Sequence, residues 1–325
     1  MPHAPAPSLE DIQAAQVRLR GHVHRTPVLT SSALNALTGA QLHFKCENLQ
    51  RSGSFKARGA HNAVLALTDA EAARGVATHS SGNHGAALAL AARTRGIPAH
   101  IVVPRNAPQA KLDNIRRYGG LLHLCEPTQQ AREAAVAAVI TANGARLVHP
   151  YDDPVVQAGQ GTCALELLQD VEDLDLLLAP LGGGGLIGGS AVAAKSVRPG
   201  IRVVGVEPEG AADAVQSVAH GVITPVMKPA SVADGLLATI KPSTFELIRT
   251  RVDAVVTVPD AAILRAQRLV WEILKLVIEP SSAVPLAALL EARVEARAAQ
   301  VGIILTGGNV DFSACAARPK RSAPP

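Results

Sequence analysis

From residue 75 onward, short apolar runs rich in β-branched residues alternate with stretches of about ten residues that favour helix. The runs 75–79, 99–103, 121–125 and 146–149 read as strands, with helices over 86–95, 110–118 and 131–141 between them. The rhythm returns with a helix over 157–168, a strand over 174–181, a glycine loop, a helix ending at 197 and a strand over 201–206. A strand over 252–258, helices over 261–277 and 283–297 and a strand over 301–306 complete the pattern. Strands that alternate with helices build βαβ units around parallel sheets. The expected fold is therefore α/β, with two mainly parallel open sheets flanked by helices. A small α/β domain is expected over 75–151, and a large one over 1–74 and 152–325. The ends, 1–8 and 318–325, are proline-rich and are expected to fray.

A chain of 325 residues has room for two such cores. Hydrophobic residues make up 48% and charged residues 18%, a globular balance that excludes a largely disordered chain. The formal charge of +4 is spread along the sequence, and four Phe, two Tyr and one Trp offer little for base stacking, so nucleic-acid binding is not expected. Cys46, Cys125, Cys163 and Cys315 are far apart and form no CxxC or Cys/His cluster, which argues against zinc and a disulfide framework. The N-terminus lacks a signal pattern and no apolar run reaches the roughly 18 residues of a membrane span. A cytoplasmic protein without a membrane partner is the expectation.

Five short segments could carry chemistry. Lys56, in Ser52-Gly53-Ser54-Phe55-Lys56, is either a solvated helix-start residue or an amine held for a Schiff base, which must be desolvated enough to lose its proton. Ser80-Ser81-Gly82-Asn83-His84-Gly85 lies between a strand and a helix, where it either caps the helix or binds an anion. Gly182, Gly183, Gly184 and Gly185 follow an apolar strand, so their amides could close around a phosphate. Residues 183–188 also fit G-x-G-x-x-G, with Glu207 about 20 residues on, which is the spacing of a dinucleotide fingerprint. Glu207, the Ala211 carbonyl and Asp213 are either solvated loop groups or hard oxygen donors for Mg²⁺ or Ca²⁺. Thr306-Gly307-Gly308-Asn309 ends an apolar strand, the place where ligands gather in parallel sheets.

Taken in order, these motifs resemble the serine/threonine dehydratase and serine racemase family of pyridoxal-phosphate enzymes of fold type II. The resemblance runs from Thr26 to Asp311 and includes Phe44-Lys45-Cys46-Glu47, Ala158-Gly159-Gln160-Gly161-Thr162 and Ile278-Glu279-Pro280-Ser281-Ser282. It implies that Lys56 holds pyridoxal 5′-phosphate as a Schiff base and serves as the base at Cα. The tetraglycine loop, with the Leu186 N–H, would bind the phosphate. Asn83 would bond the 3′-oxygen, Phe55 would pack near the ring, and Thr306 would face the pyridine nitrogen. A hydroxyl there makes the ring a weaker electron sink than an aspartate would, which suits elimination over transamination. The substrate carboxylate would meet Ser80, Asn83, His84 and Arg132. Ser81 would be the second acid/base, on the face opposite Lys56, and proton return from it would invert the substrate. Glu207, Ala211 and Asp213 would hold a divalent cation, and a homodimer is implied.

The chain ends soon after the last strand, so no C-terminal regulatory domain or isoleucine feedback is expected. His149-Pro150-Tyr151-Asp152-Asp153 looks more like dehydratases than animal serine racemases, and an aspartate facing the pocket would disfavour 3-hydroxyaspartate. Ser31, Ser32 and Arg51 resemble a nucleotide-effector region of some racemases. The expected activity is that of a threonine/serine dehydratase (ammonia-lyase), with phenylserine as a bulkier candidate substrate. Racemisation of serine and dehydration of 3-hydroxyaspartate are the alternatives on the same fold. A nicotinamide-dependent oxidoreductase and a non-catalytic relative compete from other classes.

Overall fold

The computed structural model describes residues 5–311, so the expected fraying of 1–4 and of 318–325 lies outside the described residues. Within them, the strands are β1 (Val28–Leu29), β2 (Gln41–Cys46), β3 (Val76–His79), β4 (Ala99–Pro104), β5 (Leu121–Cys125), β6 (Arg146–Leu147), β7 (Leu176–Pro180), β8 (Arg202–Pro208), β9 (Ala254–Val258) and β10 (Gln300–Leu305). They form a six-stranded sheet in the order β1-β2-β10-β7-β8-β9 and a four-stranded sheet in the order β5-β4-β3-β6. Every pairing is parallel except β1 with β2. β4 and β7 are buried along their whole length, as parallel strands covered on both faces by helices should be.

The larger differences from the expected elements have local causes. Ser8 does not fray: it closes a capping box with Asp11 at the start of the helix Leu9–Arg18. The strand expected over 146–149 stops at Leu147, because the chain then turns at His149, whose ring accepts from the next two backbone amides. The long helix expected over 261–277 ends at Leu269 and passes through a π turn, Val270–Leu274, to Lys275 at φ 59°. There the Gln267 amide and the Trp271 indole both donate to the Ile278 carbonyl, at 2.8 and 3.0 Å, folding the chain back toward Glu279. The last helix runs Pro280–Leu290 rather than to 297, and Ala292 just beyond it has φ 50°.

β2, not among the expected strands, lies beside β10 in the six-stranded sheet; its residues 41–46 alternate polar and apolar, yet the polar position Lys45 is fully buried. That charge belongs to a network. Arg58, completely buried, donates to both oxygens of Glu47 (2.8 Å each) and to both of Glu166 (2.9 and 2.7 Å), and also to Thr162 (3.1 Å). Lys45 pairs with Glu166 at 2.8 Å and donates to the Thr26 carbonyl, while the Thr26 hydroxyl donates to Glu47 at 2.6 Å. Burial opposes the Glu166 charge, but Arg58 and Lys45 outweigh it and hold the carboxyl below its ordinary range. The network joins β2, the helix Lys56–Leu65 and the helix Pro154–Asp170. The helix Lys56–Leu65 also buries Ala60, Ala63 and Val64 in the core of the four-stranded sheet, so it sits at the seam of the two sheets.

Removing one member of a buried ionic set leaves the others uncompensated. Arg58→Ala should lose about 3–5 kcal/mol in urea denaturation, with Arg58→Lys losing less because a charge remains. An Arg58→Ala loss under about 1 kcal/mol would show that the two glutamates carry no dependent charge.

Candidate active site

Lys56 opens its helix after a turn that the chain strains to make: Ser52 takes φ 57°, a left-handed conformation unusual for a non-glycine residue, and Gly53 takes φ 76°. The turn is clamped to the end of β10. Ser54 bridges to Gly307, the Phe55 N–H donates to the Thr306 carbonyl at 2.9 Å, and Gly308 donates to the Gly53 carbonyl at 2.9 Å. The Lys56 ammonium donates to the Pro150 carbonyl at 2.9 Å and lies 5.0 Å from the centre of the Phe55 ring. Burial lowers its pKa to about 8 against the opposing pull of Glu279. A solvated helix-start lysine would keep its ordinary value, so the geometry favours the alternative of a desolvated amine.

Glu279 is the residue that sequence reasoning passed over. It appears there only within a family-like segment, and the signal for it was its place just before Pro280 at a helix start. Its carboxylate is buried and accepts from the Asn83 amide at 3.0 and 3.1 Å, and burial raises its pKa to about 7. Asn309 donates to the Asn83 side-chain oxygen (2.8 Å) and to the Ser52 carbonyl (2.9 Å). Asn83 is thus held on two sides, its amide nitrogen by Glu279 and its oxygen by Asn309. Thr306, also buried, shares a 2.9 Å hydrogen bond with Ser282, whose hydroxyl in turn accepts from the Gly307 N–H and donates to its carbonyl, both at 2.7 Å.

The four glycines follow β7 and lead into the helix Gly185–Val197. Each is required by its neighbours. Gly184 takes φ 88°, a Cβ on Gly183 would lie 2.5 Å from the Tyr151 ring, and Cβ atoms on Gly182 and Gly185 would lie 2.8 Å from Leu236 and Tyr151. Such a loop leaves backbone N–H groups, Leu186 among them, turned outward at the positive end of a helix, the arrangement that suits a phosphate. Glu207, the acid of the dinucleotide alternative, accepts from the Ala214 and Val215 amides at 3.0 and 2.9 Å.

Ser80 and Ser81 follow β3, and no hydrogen bond holds either hydroxyl among the described residues. The helix Asn83–Arg95 starts beside them, at Gly82, with no side-chain cap. The loop therefore offers an anion free amides and free hydroxyls. His84 offers its backbone rather than its side chain. Its ring turns inward, with Nε2 3.0 Å from the Val148 carbonyl, and burial together with Lys56 lowers its pKa to about 3. The contact it offers an anion is its backbone N–H. Arg132, in the helix Gln129–Asn143, has a buried Nε without a partner and is near enough for its charge to act on His79. Asp153 faces away from the pocket. It caps the helix Pro154–Asp170 through the Val155 and Val156 amides and pairs with Arg146 at 3.4 Å. Asp152 accepts from the Ser243 hydroxyl, a neutral partner that leaves its charge in place. Of the repulsion expected from these aspartates toward an acidic side chain, only the part due to Asp153 is offset, by Arg146.

Glu207 and Asp213 are both buried, and burial raises both carboxyls, Glu207 to about 8. Their partners are backbone amides, Ile240 in the case of Asp213, so no cation among the described residues balances them. Two uncompensated carboxylates beside the Ala211 turn fit a hard divalent cation, although the described residues contain no cluster of three or more His, Cys, Asp or Glu side chains suited to a metal. Ser31 caps the helix Ser32–Thr38 and Arg51 reaches the Gly21 carbonyl, so both have structural partners apart from any effector. Cys46, Cys125 and Cys163 are buried free thiols, and Cys315 lies outside the described residues. No helix among the described residues is long and apolar enough to cross a membrane.

Comparisons with known proteins agree with this geometry. Residues 19–307 match the family model described as pyridoxal-phosphate dependent enzyme. The chain is 51% identical over 306 residues to a beta-hydroxyaspartate dehydratase of Paracoccus denitrificans, covering 94% of this chain and 97% of that one. Maize serine racemase superposes with a TM-score of 0.94 at 45% identity, covering 96% of each chain. A T.th. threonine deaminase superposes with a TM-score of 0.90 at 42% identity, covering 94% of this chain and 99% of that one. The desolvated lysine, the glycine cradle and these relatives lead to one conclusion: the chain belongs to the pyridoxal-phosphate dependent enzymes of fold type II, in the serine/threonine dehydratase and serine racemase group.

Proposed function

We propose that the protein is a dehydratase converting a β-hydroxy-α-amino acid to a 2-oxo acid and ammonia, with β-hydroxyaspartate preferred over L-serine and L-threonine. The water expelled from the β-carbon is regained at the α-carbon when ammonia leaves, so the net change is loss of ammonia. The observation that carries the elimination chemistry is the desolvated Lys56 amine set beside Asn83, Thr306 and the glycine cradle. The relative acting on β-hydroxyaspartate supports the substrate, as does the pairing of Asp153 with Arg146.

Bound pyridoxal phosphate supplies an electron sink for negative charge developing at the substrate Cα. The residues of the chain do the rest. Lys56 would hold the cofactor through its amine, and that amine would serve as the base for the substrate Cα proton. The amides of Gly183, Gly184, Gly185 and Leu186 would hold the phosphate, Asn83 would face the 3′-oxygen, and Phe55 would pack by the ring. Thr306, positioned by Ser282, would offer its hydroxyl to the ring nitrogen. Ser80 and the Asn83 and His84 amides bind the α-carboxylate with Arg132 near. Ser81 holds a proton at the other face, so serine racemisation is a side activity. Glu207, Asp213 and the Ala211 carbonyl hold a divalent cation that neutralises a buried pair, and the working assembly is a homodimer.

Lys56→Ala should abolish turnover, and borohydride reduction of the wild-type holoenzyme should fix the cofactor on Lys56 alone. In apoprotein, cofactor loading should accelerate as pH rises through about 8, where the amine becomes neutral, rather than near its ordinary value of 10.5. Loading that rises only near 10.5 would mean that the amine is solvated.

With a panel of substrates, kcat/KM for β-hydroxyaspartate should exceed that for L-serine and L-threonine by about tenfold or more. The reverse order would refute the substrate assignment and leave the chemistry intact.

A chelator should lower the melting temperature, Mg²⁺ or Ca²⁺ should restore it, and Glu207→Gln should abolish the response. A melting temperature indifferent to chelator and to added cation would remove the cation site.

A further inference from the structure

The segment 239–244 is pinned along one side of the site at four places. The Tyr151 hydroxyl donates to the Thr239 carbonyl at 2.9 Å, and the Ile240 N–H donates to Asp213 at 2.8 Å. Ser243 binds Asp152 and accepts from Gln157 at 3.1 Å. Thr244 lies against the glycine cradle, where a Cβ on Gly184 would come within 2.8 Å of it. Lys241 sits in the middle of this segment, just before the helix Pro242–Arg251, and its own N–H is fixed by the Thr244 hydroxyl at 3.0 Å. It forms no ion pair among the described residues, yet its charge acts on both His79 and His149.

His149 faces the same region. Its Nδ1 accepts from the Asp152 N–H at 2.8 Å and the Tyr151 N–H at 3.3 Å, so the ring proton resides on Nε2. Nε2 has no partner among the described residues. The ring is locked between His79, 5.7 Å away, and Tyr151, 4.6 Å away, both in edge contacts. Lys56 is also close enough to act on it. The acids that face these imidazoles are Asp152, bound by Ser243, and the exposed Glu133, bound by Gln129. Against them stand Lys241, Arg132 and Lys56, so positive charge is in excess.

We infer that Lys241 and the His149 Nε2–H form the subsite for a second carboxylate, borne on the β-carbon of the substrate. Lys241 is then the residue that sets preference for dicarboxylic over neutral β-hydroxy amino acids. The inference rests on the reading of the site as a β-hydroxy amino acid dehydratase. The α-carboxylate occupies the uncapped helix start at Asn83, so it does not compete for Lys241. A fixed neutral donor and a lysine ammonium recognise a carboxylate without needing to titrate near neutral pH.

The test uses the holoenzyme, with Lys241→Met, Lys241→Arg and His149→Gln variants checked for retained cofactor absorbance. Lys241→Met should lower kcat/KM for β-hydroxyaspartate about a hundredfold, chiefly through KM, and lower that for L-serine at least tenfold less. Lys241→Arg should recover most of the loss, and His149→Gln, which keeps an N–H but loses the Nδ1 anchor, should give an intermediate value. Equal effects on both substrates, or none on β-hydroxyaspartate, would overturn the subsite and leave the dehydratase reading standing. If wild-type holoenzyme turns over neither substrate, that reading fails and binding decides the subsite separately. Calorimetric binding of L-aspartate tighter than L-alanine, with the difference lost in Lys241→Met, supports it, and a difference independent of Lys241 overturns it.

Discussion

The position of the reactive amine depends on a buried guanidinium. Arg58 stands a short step along the helix from Lys56 and is gripped on both sides by carboxylates, Glu47 from the end of β2 and Glu166 from the helix Pro154–Asp170. A guanidinium engaged through parallel pairs of hydrogen bonds resists rotation as well as translation. The helix Lys56–Leu65 is thereby fixed in angle and height relative to the six-stranded sheet, while its apolar face packs on the four-stranded one. The strained Ser52–Gly53 turn can persist only because its exit is anchored in this way and its entry is clamped to β10.

Buried charge is used in two different ways in this protein. In the Arg58 network every charge has its counter-charge at hydrogen-bond distance, so pairing outweighs the cost of burial and keeps the set charged. At the active site the charges are left short of compensation. Lys56 has a carbonyl for a partner rather than a carboxylate, and Glu279 has an amide rather than a cation. Both are therefore drawn toward neutrality, to about 8 and about 7, where a proton can be exchanged at modest cost. The contrast comes from the partners each charge is given.

What was legible in the sequence was whatever obeys local rules. The interior strands β3 and β4 announce themselves as apolar runs between turn residues. The glycine loop is recognisable because nothing else fits against Tyr151 and Leu236. Lys56 itself was legible only in combination with the other motifs. β2 alternates polar and apolar over 41–46, and what stays hidden is the burial of Lys45, since its counter-charges Glu166 and Asp170 come from the remote helix Pro154–Asp170. Glu279 was hidden for the same reason: its partner Asn83 is remote in sequence, and the π turn that delivers it has no period to detect. The inward turn of His84 depends on the Val148 carbonyl, and no pattern in the loop 80–85 records that contact.

The division between backbone and side-chain recognition says where substrate choice can reside. The glycine loop and the uncapped start of the helix at Asn83 offer main-chain N–H groups, which substitution hardly alters provided the glycines remain. Relatives that act as racemase, deaminase and dehydratase can therefore share this machinery, the first two at TM-scores of 0.94 and 0.90. Discrimination must fall to side chains that face the substrate from segments free to vary, and two such segments meet here, 149–152 and 239–244. They are bonded to each other through Tyr151 with Thr239 and Asp152 with Ser243. A change in one moves the other, so the polarity around the β-carbon is set jointly by the two segments. A carboxylate at that carbon requires a cation that the fold does not already spend elsewhere, and Lys241 meets that condition because its segment is held by other residues and its ammonium by none among those described.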